Sequence, residues 1–278
     1  MIALFLAAAL AYETDPVSGR DLPVPDVTAE ANVLVDQGLD RAVATTNTRL
    51  RCKAPAARTR RVLARRIHAE LGATELLWSR GAWGMWGHGR YSARLESEVE
   101  GLYWAEDGLF AEVSLWASPP LHLAGTSHMA RLAGTWVGTD KLHHFFDVGH
   151  GYWRRSRASR HATAAIRWGT ATEAALWGGW TSRVFSYADL RANLDGYRFY
   201  AGLLDDTSLL RVGDDGCVAR AGRWDWAQWV DAEYDEYFNP AAYGAGLERE
   251  LRRAMVDRRD ELCAAWQRWR APGDEARI

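Results

Sequence analysis

Apolar residues recur every three or four positions along most of the chain, the spacing that places side chains on one face of an α-helix. Ala31, Val35 and Leu39 share such a face near the amino end. The periodicity and its bounding polar or proline residues predict helices over residues 28–49, 55–72, 121–134, 139–156, 160–181, 187–204, 224–237 and 246–270. We therefore expect a mostly α-helical protein.

Two stretches break the helical period. Residues 76–92 are rich in tryptophan and glycine and predict an irregular packed loop. Residues 93–116 fit either a helix or a pair of short strands, because Asp107-Gly108 is a turn signal between apolar runs. With no internal repeat and no clear linker, residues 12–271 are expected to form a single multi-helix bundle domain with irregular loops, before a disordered tail at 272–278.

The amino terminus carries a short apolar run at residues 1–11 that ends in small residues. This run is typical of a signal-peptide core and is too short to span a bilayer, although a buried helix is the alternative. We favour export, to the periplasm or outside the cell. In that setting two of Cys52, Cys217 and Cys263 could form one disulfide, and all three pairings are open.

The amino-acid composition and net charge argue for some classes of protein and against others. Apolar residues make up 48% of the 278 positions and charged residues 25%, which is typical of a folded domain. The net charge of −2 argues against a nucleic-acid-binding protein. The arginine run at 58–66 has helical spacing and fits a solvated helix face. Of 34 basic residues only Lys53 and Lys141 are lysines, so Lys141 marks a place where a compact point charge is preferred to a guanidinium.

Lys141 lies in a dense polar turn. Thr139 can cap a helix that begins at Asp140, and His143 and His144 follow within one turn. Because residues three and four apart share a helix face, Asp140, His143, His144 and Asp147 are expected to form one polar ridge. A charge on a segment that is otherwise apolar must be paired or bound to a metal. The ridge therefore predicts a functional site.

Two later predicted helices carry polar residues that could pair with those of the ridge. Glu173 lies within an apolar helical segment, where a structural ion pair with Lys141 or a histidine would satisfy it. Ser186 opens the next helix in a capping pattern, and Asp189, Asn193 and Gly196 share one of its faces. We expect these four residues to be binding residues that face the Asp140 helix.

The order Asp-Lys-x-x-His, an inward Glu roughly thirty residues later, and Ser-x-x-Asp-x-x-x-Asn-x-x-Gly resembles the YfiM-like family of bacterial envelope lipoproteins. Asp140-Lys141 with His144 and Phe145 is also loosely similar to the opening motif of VanZ-like membrane proteins. The resemblance covers residues 139–204 and implies a helical bundle at the cell envelope. The motif positions it implies are Asp140, Lys141, His144, Glu173, Ser186, Asp189, Asn193 and Gly196. The chain departs from the family pattern because no cysteine follows the apolar run at 1–11, so a lipid anchor is not expected, and because long extra segments flank residues 139–204.

Three functions fit these residues. The favoured one is an exported envelope protein with a non-catalytic structural or binding role, peripherally associated with the membrane or cell wall. The second is a metal-dependent hydrolase of phosphoester, acyl or glycosidic bonds, in which Asp140, His144, Glu173 and Asp189 hold one divalent ion and Lys141 stabilises developing negative charge. The catalytic residues would be Asp140, Lys141, His144 and Glu173. The third is lysozyme-like glycan cleavage with Glu173 as the acid.

A second acidic and aromatic cluster occupies residues 224–237. Its acidic residues are Asp225, Asp231, Glu233, Asp235 and Glu236. Their spacing predicts a solvated helix face over an aromatic core, and a carbohydrate-binding platform built from the tryptophans and tyrosines is the alternative.

Overall fold

The structure is a computed structural model of the chain. It describes residues 13–78, 85–105, 108–118, 121, 126–159, 161–174, 182–205 and 208–269. The expected signal peptide at 1–11 and the expected tail at 272–278 lie outside these residues.

Helices dominate the described part of the chain, which confirms the mostly α-helical class. They are α1 (Thr28–Leu50), α2 (Ala56–Ile67), α3 (Arg90–Glu98), α4 (Thr139–His143), α5 (Gly149–Ser159), α6 (Ala162–Thr172), α7 (Tyr187–Gly202), α8 (Ala245–Asp257) and α9 (Arg259–Trp269). A π-helical turn, His144–Val148, joins α4 to α5 without a break. None of the described helices combines the length and the hydrophobicity needed to cross a bilayer.

The strands of the described residues are short and form antiparallel two-stranded pairs, and β3 makes two further isolated bridges to residues 26 and 103. They are β1 (Thr74–Trp78), β2 (Met85–Gly89), β3 (Met129–Leu132), β4 (Thr135–Gly138), β5 (Val184–Phe185), β6 (Leu210–Val212), β7 (Val218–Arg220) and β8 (Ala242–Tyr243). The pairs are β1 with β2, β3 with β4, β5 with β8, and β6 with β7. The β5–β8 pair matters most for the site, because it ties the chain before α7 to the segment that follows residue 236.

The helix predicted at 121–134 is wrong over its second half. Residues from Met129 form the β3–β4 hairpin instead. Its two-residue turn is Ala133-Gly134, with φ of 52° and 77°. Two successive residues at positive φ produce the turn that matches the twist of paired strands. This hairpin delivers the chain directly into α4.

The helix predicted at 224–237 is also wrong. Two separate 3₁₀ turns, Trp226–Gln228 and Ala232–Tyr234, take its place. Asp225 and Asp231 each accept a hydrogen bond from the backbone N–H two residues later. Such local side-chain bonds compete with a continuous helix.

Smaller differences concern the flanking segments. Residues 76–92, expected to be irregular, include the paired strands β1 and β2 and the start of α3. The predicted helix at 246–270 is divided at Arg258 into α8 and α9. The helix predicted at 160–181 is described only as far as residue 174, where α6 has already ended.

An aromatic core lies behind the α4–α5 segment. Phe145 and Phe146 are fully buried and meet the rings of Trp224 and Trp226 in edge-to-face or tilted contacts 5.2 to 5.8 Å apart. The indole N–H of Trp226 donates to the Tyr91 hydroxyl at 2.9 Å, so this buried donor is satisfied. Burial of several large rings supplies much of the hydrophobic stabilisation on this side.

Helices α5 and α7 approach each other at two glycines. A Cβ added at Gly149 would lie 2.6 Å from the Cα of Gly196, and one added at Gly196 would overlap the carbonyl oxygen of Phe145. Gly196 therefore permits close packing of the two helices. This contact brings the polar face of α7 against α4 and the π-helical turn.

One disulfide joins the carboxyl end of α1 to the β6–β7 turn. Cys52 pairs with Cys217, and Cys263 is an exposed free cysteine on α9. The bond links positions 165 residues apart. In the chain-entropy account, a closed loop of this length strongly restricts the unfolded state.

We predict that replacing both Cys52 and Cys217 with serine lowers the free energy of unfolding by about 2–5 kcal/mol, because the unfolded chain regains its freedom. Urea unfolding of the oxidised protein measures this difference. Cys263→Ser is the matched control and is expected to leave the unfolding midpoint unchanged. Equal midpoints for all three proteins would contradict the prediction.

Candidate functional site

Lys141 lies at the centre of the predicted polar site and has no solvent exposure. Its ammonium nitrogen lies 2.6 Å from Asp140 Oδ2, 2.7 Å from Asp189 Oδ1 and 2.7 Å from Glu236 Oε1. An ammonium group has three N–H donors. Three carboxylates therefore form ion pairs with this one cation, which donates hydrogen bonds to Asp140 Oδ2 and to the Thr14 hydroxyl.

The three carboxylates come from separate parts of the chain. Asp140 precedes Lys141 on α4, and Asp189 lies in the first turn of α7. Glu236 follows the second 3₁₀ turn and is brought close by the β5–β8 pair. The ion cluster consequently links three segments that share no local structure.

The electrostatics favour a charged lysine. Burial is the largest influence and lowers the pKa of Lys141, but Asp140, Asp189 and Glu236 together outweigh it, so the pKa lies well above its usual value. Removing one partner of a buried ion pair typically costs 3–5 kcal/mol, since the remaining charge loses its compensation. The ammonium and its partners are therefore stable only together.

Asp140 is held in place by two hydroxyl groups. Its Oδ1 accepts hydrogen bonds from Thr14 at 2.9 Å and from Ser127 at 3.2 Å. Thr14 also lies 3.3 Å from the Lys141 ammonium. The amino-terminal segment thus closes one side of the cluster.

His144 lies one turn beyond Asp140 and Lys141 and extends the polar site toward α7. Its Nδ1 is 3.0 Å from Asn193 Oδ1, and its Nε2 is 3.2 Å from Asp189 Oδ2. An amide oxygen only accepts hydrogen bonds, so the Nδ1–H group of His144 donates this one to Asn193 Oδ1. Nε2 is consequently the nitrogen directed at the carboxylates.

The charges around His144 are mutually dependent. Burial lowers the pKa of His144, but Asp189 and Glu173 outweigh that influence and raise it above the usual value. Burial raises the pKa of Asp189, but His144 and Lys141 more than compensate and hold it below its usual range. Asp189 is therefore a carboxylate shared by two cations, one on each oxygen.

Glu173 completes the site from the end of α6 and is only 4% exposed. Burial raises its pKa to about 7, with Asp189 adding to the rise and His144 and Lys141 opposing it. A carboxyl group with this pKa is partly protonated at neutral pH. Such a group can act as a general acid or base, or release its proton to a metal.

The potential metal ligands fall into two groups that share Asp189. Ligand atoms of Asp140, Asp189 and Glu236 lie within 4.8 Å of one another, and so do those of His144, Glu173 and Asp189. The Lys141 ammonium binds all three members of the first group. The second group has one imidazole nitrogen and two carboxylates, a donor set suited to a divalent ion.

Carboxyl groups outnumber cations among the residues that the structure describes in this region. Glu13 and Glu236 are both buried, and each has one carboxyl oxygen, Oε2, with no hydrogen-bond partner among the described residues. Burial, together with Asp189 and Glu236, raises the pKa of Glu13 well above its usual value. Among the described residues, Lys141 and His144 cannot neutralise all five buried carboxylates of the region, so bound protons or a metal ion would balance the excess. The five are Glu13, Asp140, Glu173, Asp189 and Glu236.

Most of the residues predicted from the sequence meet in this region. Asp140, Lys141, His144, Glu173, Ser186, Asp189 and Asn193 are buried. Ser186 caps α7, accepting from the Asp189 backbone N–H at 3.1 Å, and donates to Glu236 at 2.6 Å. Gly196 contributes close helix packing, and no polar contact of its own is found in the described structure.

Two residues of the expected polar ridge, His143 and Asp147, do not join the cluster around Lys141. Asp147 binds His68 at 2.5 Å and lies 3.5 Å from His143, away from Lys141. The π-helical turn changes the spacing of side chains after His144. Thr139 does not cap α4, since Gly138 occupies the cap position and the Thr139 hydroxyl donates to Glu96.

The sequence did not indicate Glu13, Thr14 or Glu236 as site residues. Glu236 was expected on a solvated helix face, yet it is 2% exposed, as Asp235 is at 3%. Asp231 and Glu233, by contrast, are exposed. The sequence signal that could have distinguished buried Glu236 from exposed Asp231 and Glu233 is the pair Asp225 and Asp231. Aspartates at these positions favour turns, which end the helical periodicity before Glu236.

Three of the five aromatic rings of the alternative carbohydrate platform are buried, whereas Trp229 and Tyr237 are partly exposed. Trp224, Trp226 and Tyr234 are each 3% exposed or less and pack into the core. A sugar ring stacks on an accessible aromatic face, which these side chains do not offer.

Comparison with protein-family models, with curated proteins and with solved structures finds no match to the chain. The resemblance to the YfiM-like and VanZ-like proteins stays a prediction.

The buried glutamates give the site a pH dependence. Burial raises the pKa of Glu236 to about 7, with Asp189 and Asp140 adding to the rise against the opposing ammonium of Lys141. An unfolded glutamate titrates near pH 4.3. Because the folded pKa is the higher one, the stabilising contribution is complete below about pH 4.3 and is lost as the pH rises through 7.

We predict that metal-free protein loses stability between pH 5 and 8 and that Glu236→Gln reduces this loss by up to about 3 kcal/mol. Urea unfolding across the pH range measures it. Glu233→Gln is the matched control, because Glu233 is an exposed glutamate of the same segment. A pH dependence that is identical in wild type and Glu236→Gln would contradict the prediction.

Proposed function

We propose that this chain is an exported protein of the bacterial cell envelope that binds one divalent metal ion through His144, Glu173 and Asp189, in a structural or binding role. The observation that carries the proposal is the convergence of these three buried ligand atoms within 4.8 Å. Imidazole and carboxylate donors together suit Zn²⁺ or Mn²⁺.

The orientation of His144 supports metal binding. Histidines that bind metals usually donate their second ring N–H to an oxygen, which fixes the tautomer and the ring direction. Asn193 Oδ1 accepts from Nδ1 at 3.0 Å. Nε2 is therefore the ring nitrogen that faces Asp189 and Glu173. A metal ion bound there would replace the proton that Nε2 carries when His144 is charged.

The charge balance supports it as well. A divalent ion would compensate the carboxylates that Lys141 does not neutralise, and its binding would displace the proton of Glu173. Asp140, the fourth ligand proposed from the sequence, belongs to the other group and is bound by Lys141. We therefore propose three protein ligands.

Burial supports a structural or binding role over catalysis. His144 and Glu173 are each 4% exposed and Asp189 is 2% exposed. A substrate larger than water could reach a metal at this position only after the surrounding segments moved. A bound ion would instead connect α6, α7 and the π-helical turn.

The disulfide supports export. Disulfide bonds persist in oxidising compartments such as the periplasm and are uncommon in the cytosol. The Cys52–Cys217 bond joins two segments distant in sequence and leaves a single free cysteine. A periplasmic or secreted location is consistent with this pattern.

Metal-dependent hydrolysis is the second candidate. It is favoured by the raised pKa of Glu173, about 7, and by the Lys141 ammonium 2.7 Å from the ligand Asp189. In this function Glu173 would be a general base and not a ligand, with the ion held by His144 and Asp189, and Lys141 would stabilise negative charge that develops on the substrate. Turnover of a phosphoester or acyl ester by metal-loaded protein, lost in Glu173→Gln, would favour this function over the first.

We predict that the protein, stripped with a chelator and then incubated with Zn²⁺ or Mn²⁺, retains about one ion per chain after gel filtration. Elemental analysis measures the content. His144→Ala removes the only nitrogen ligand of the set and is expected to lose at least 10-fold in affinity. His161→Ala is the control, because His161 is exposed at the start of α6.

Equal metal retention by wild type and His144→Ala would contradict the proposed centre, as would the absence of retained metal in folded wild type. Thermal unfolding of each variant shows whether the fold is intact when the metal is measured.

A further inference from the structure

Two helices outside the buried centre carry an unbalanced positive charge. Helices α2 and α5 contain eight arginines and no acidic residue, although the whole chain has a net charge of −2. Those of α2 are Arg58, Arg60, Arg61, Arg65 and Arg66, and those of α5 are Arg154, Arg155 and Arg157. This density attracts anions over a distance of several ångströms.

An open groove of about 460 Å³ lies where the two helices face each other. Ala56, Ala57 and Arg60 line one wall, and Trp153 and Arg157 line the other. The two alanines are small, so they leave the space between the arginines open. The groove is large enough for a phosphate group with a small attached group.

The two arginines that line the groove, Arg60 and Arg157, lie close to each other and to other arginines of α2. Burial lowers the pKa of Arg157, and the nearby charges of Arg61, Arg60 and Arg65 lower it further. Like charges at this proximity raise the free energy of the folded protein, and an anion bound among them would relieve the repulsion.

Acidic side chains neutralise little of the positive charge of Arg60 and Arg157. Arg60 pairs with Asp205, whose side chain is 62% exposed. The Arg157 guanidinium lies over the Trp153 ring at 5.1 Å, and no ion pair involves Arg157 among the described residues. Stacking on an indole holds a guanidinium in a fixed plane while leaving its N–H groups available at the edge.

We propose that the groove between α2 and α5 binds the phosphate group of an anionic ligand, with Arg60 and Arg157 as its principal donors. Guanidinium groups donate paired hydrogen bonds to phosphate oxygens, and these charge-assisted bonds are stronger than neutral ones. The site is separate from the buried centre and does not depend on metal binding there. Phosphate of this kind occurs both in lipid headgroups and in soluble phosphate compounds.

The test uses inorganic pyrophosphate, measured by calorimetry, and vesicles of phosphatidylcholine with phosphatidylglycerol, measured by flotation. Whichever of the two probes the wild-type protein binds, the Arg60→Gln/Arg157→Gln variant is expected to bind it at least about tenfold more weakly. The affinity of this variant is also expected to depend less on salt concentration. The control, Arg252→Gln/Arg253→Gln, removes the same charge from the exposed face of α8. It is expected to bind as the wild type does.

A second variant tests the groove itself. Ala57→Phe fills the space without changing the charge, and it is expected to weaken binding about as much as the arginine changes. Unfolding curves confirm that each variant is folded. Binding of the vesicles alone supports a lipid headgroup as the ligand, and binding of pyrophosphate alone supports a soluble phosphate compound.

Two results would overturn the proposal. One is failure of the wild-type protein to bind either probe at low salt. The other is equal weakening by the α8 control pair, since binding would then depend on overall charge and not on this groove.

Discussion

The ammonium group of Lys141, enclosed by the carboxylates of Asp140, Asp189 and Glu236, is the interaction on which the rest of the site depends. An isolated buried charge costs several kilocalories per mole, so neither the lysine nor its partners could occupy this position alone. Because the carboxylates come from α4, α7 and the segment after residue 234, satisfying one cation fixes the relative positions of three distant stretches.

The position of His144 depends on the ion cluster around Lys141. The aromatic core packs behind Phe145 and Phe146, while the Gly149–Gly196 contact brings α7 close to the π-helical turn. Asp189 then reaches Lys141 with one oxygen and His144 with the other. The proposed metal centre thus shares a ligand with the ion cluster, so a change in the charge at one is expected to alter the other.

The chemistry of the site could be predicted from the sequence where it depends on helical spacing. Asp140, Lys141 and His144 fall within one turn, and Asp189 and Asn193 share a face, so their convergence required only that two helices meet. Glu13 and Glu236 could not be predicted in this way, because their approach depends on the Glu13–Thr126 bridge and the β5–β8 pair. The β3–β4 hairpin was missed because helical periodicity hid a turn that requires positive φ at Ala133 and Gly134.

The decisive measurement is a double-mutant cycle between Lys141 and Glu236, in which urea unfolding at pH 8 gives the free energy of unfolding of metal-free protein. We expect Lys141→Met to cost about 3–5 kcal/mol, because it leaves three buried carboxylates uncompensated. Adding Glu236→Gln to Lys141→Met is expected to restore part of that loss, whereas Glu236→Gln alone stabilises the protein that retains Lys141 to a smaller extent. A cost below about 1 kcal/mol for Lys141→Met, or strictly additive effects of the two changes, would contradict a fold organised around this ammonium group.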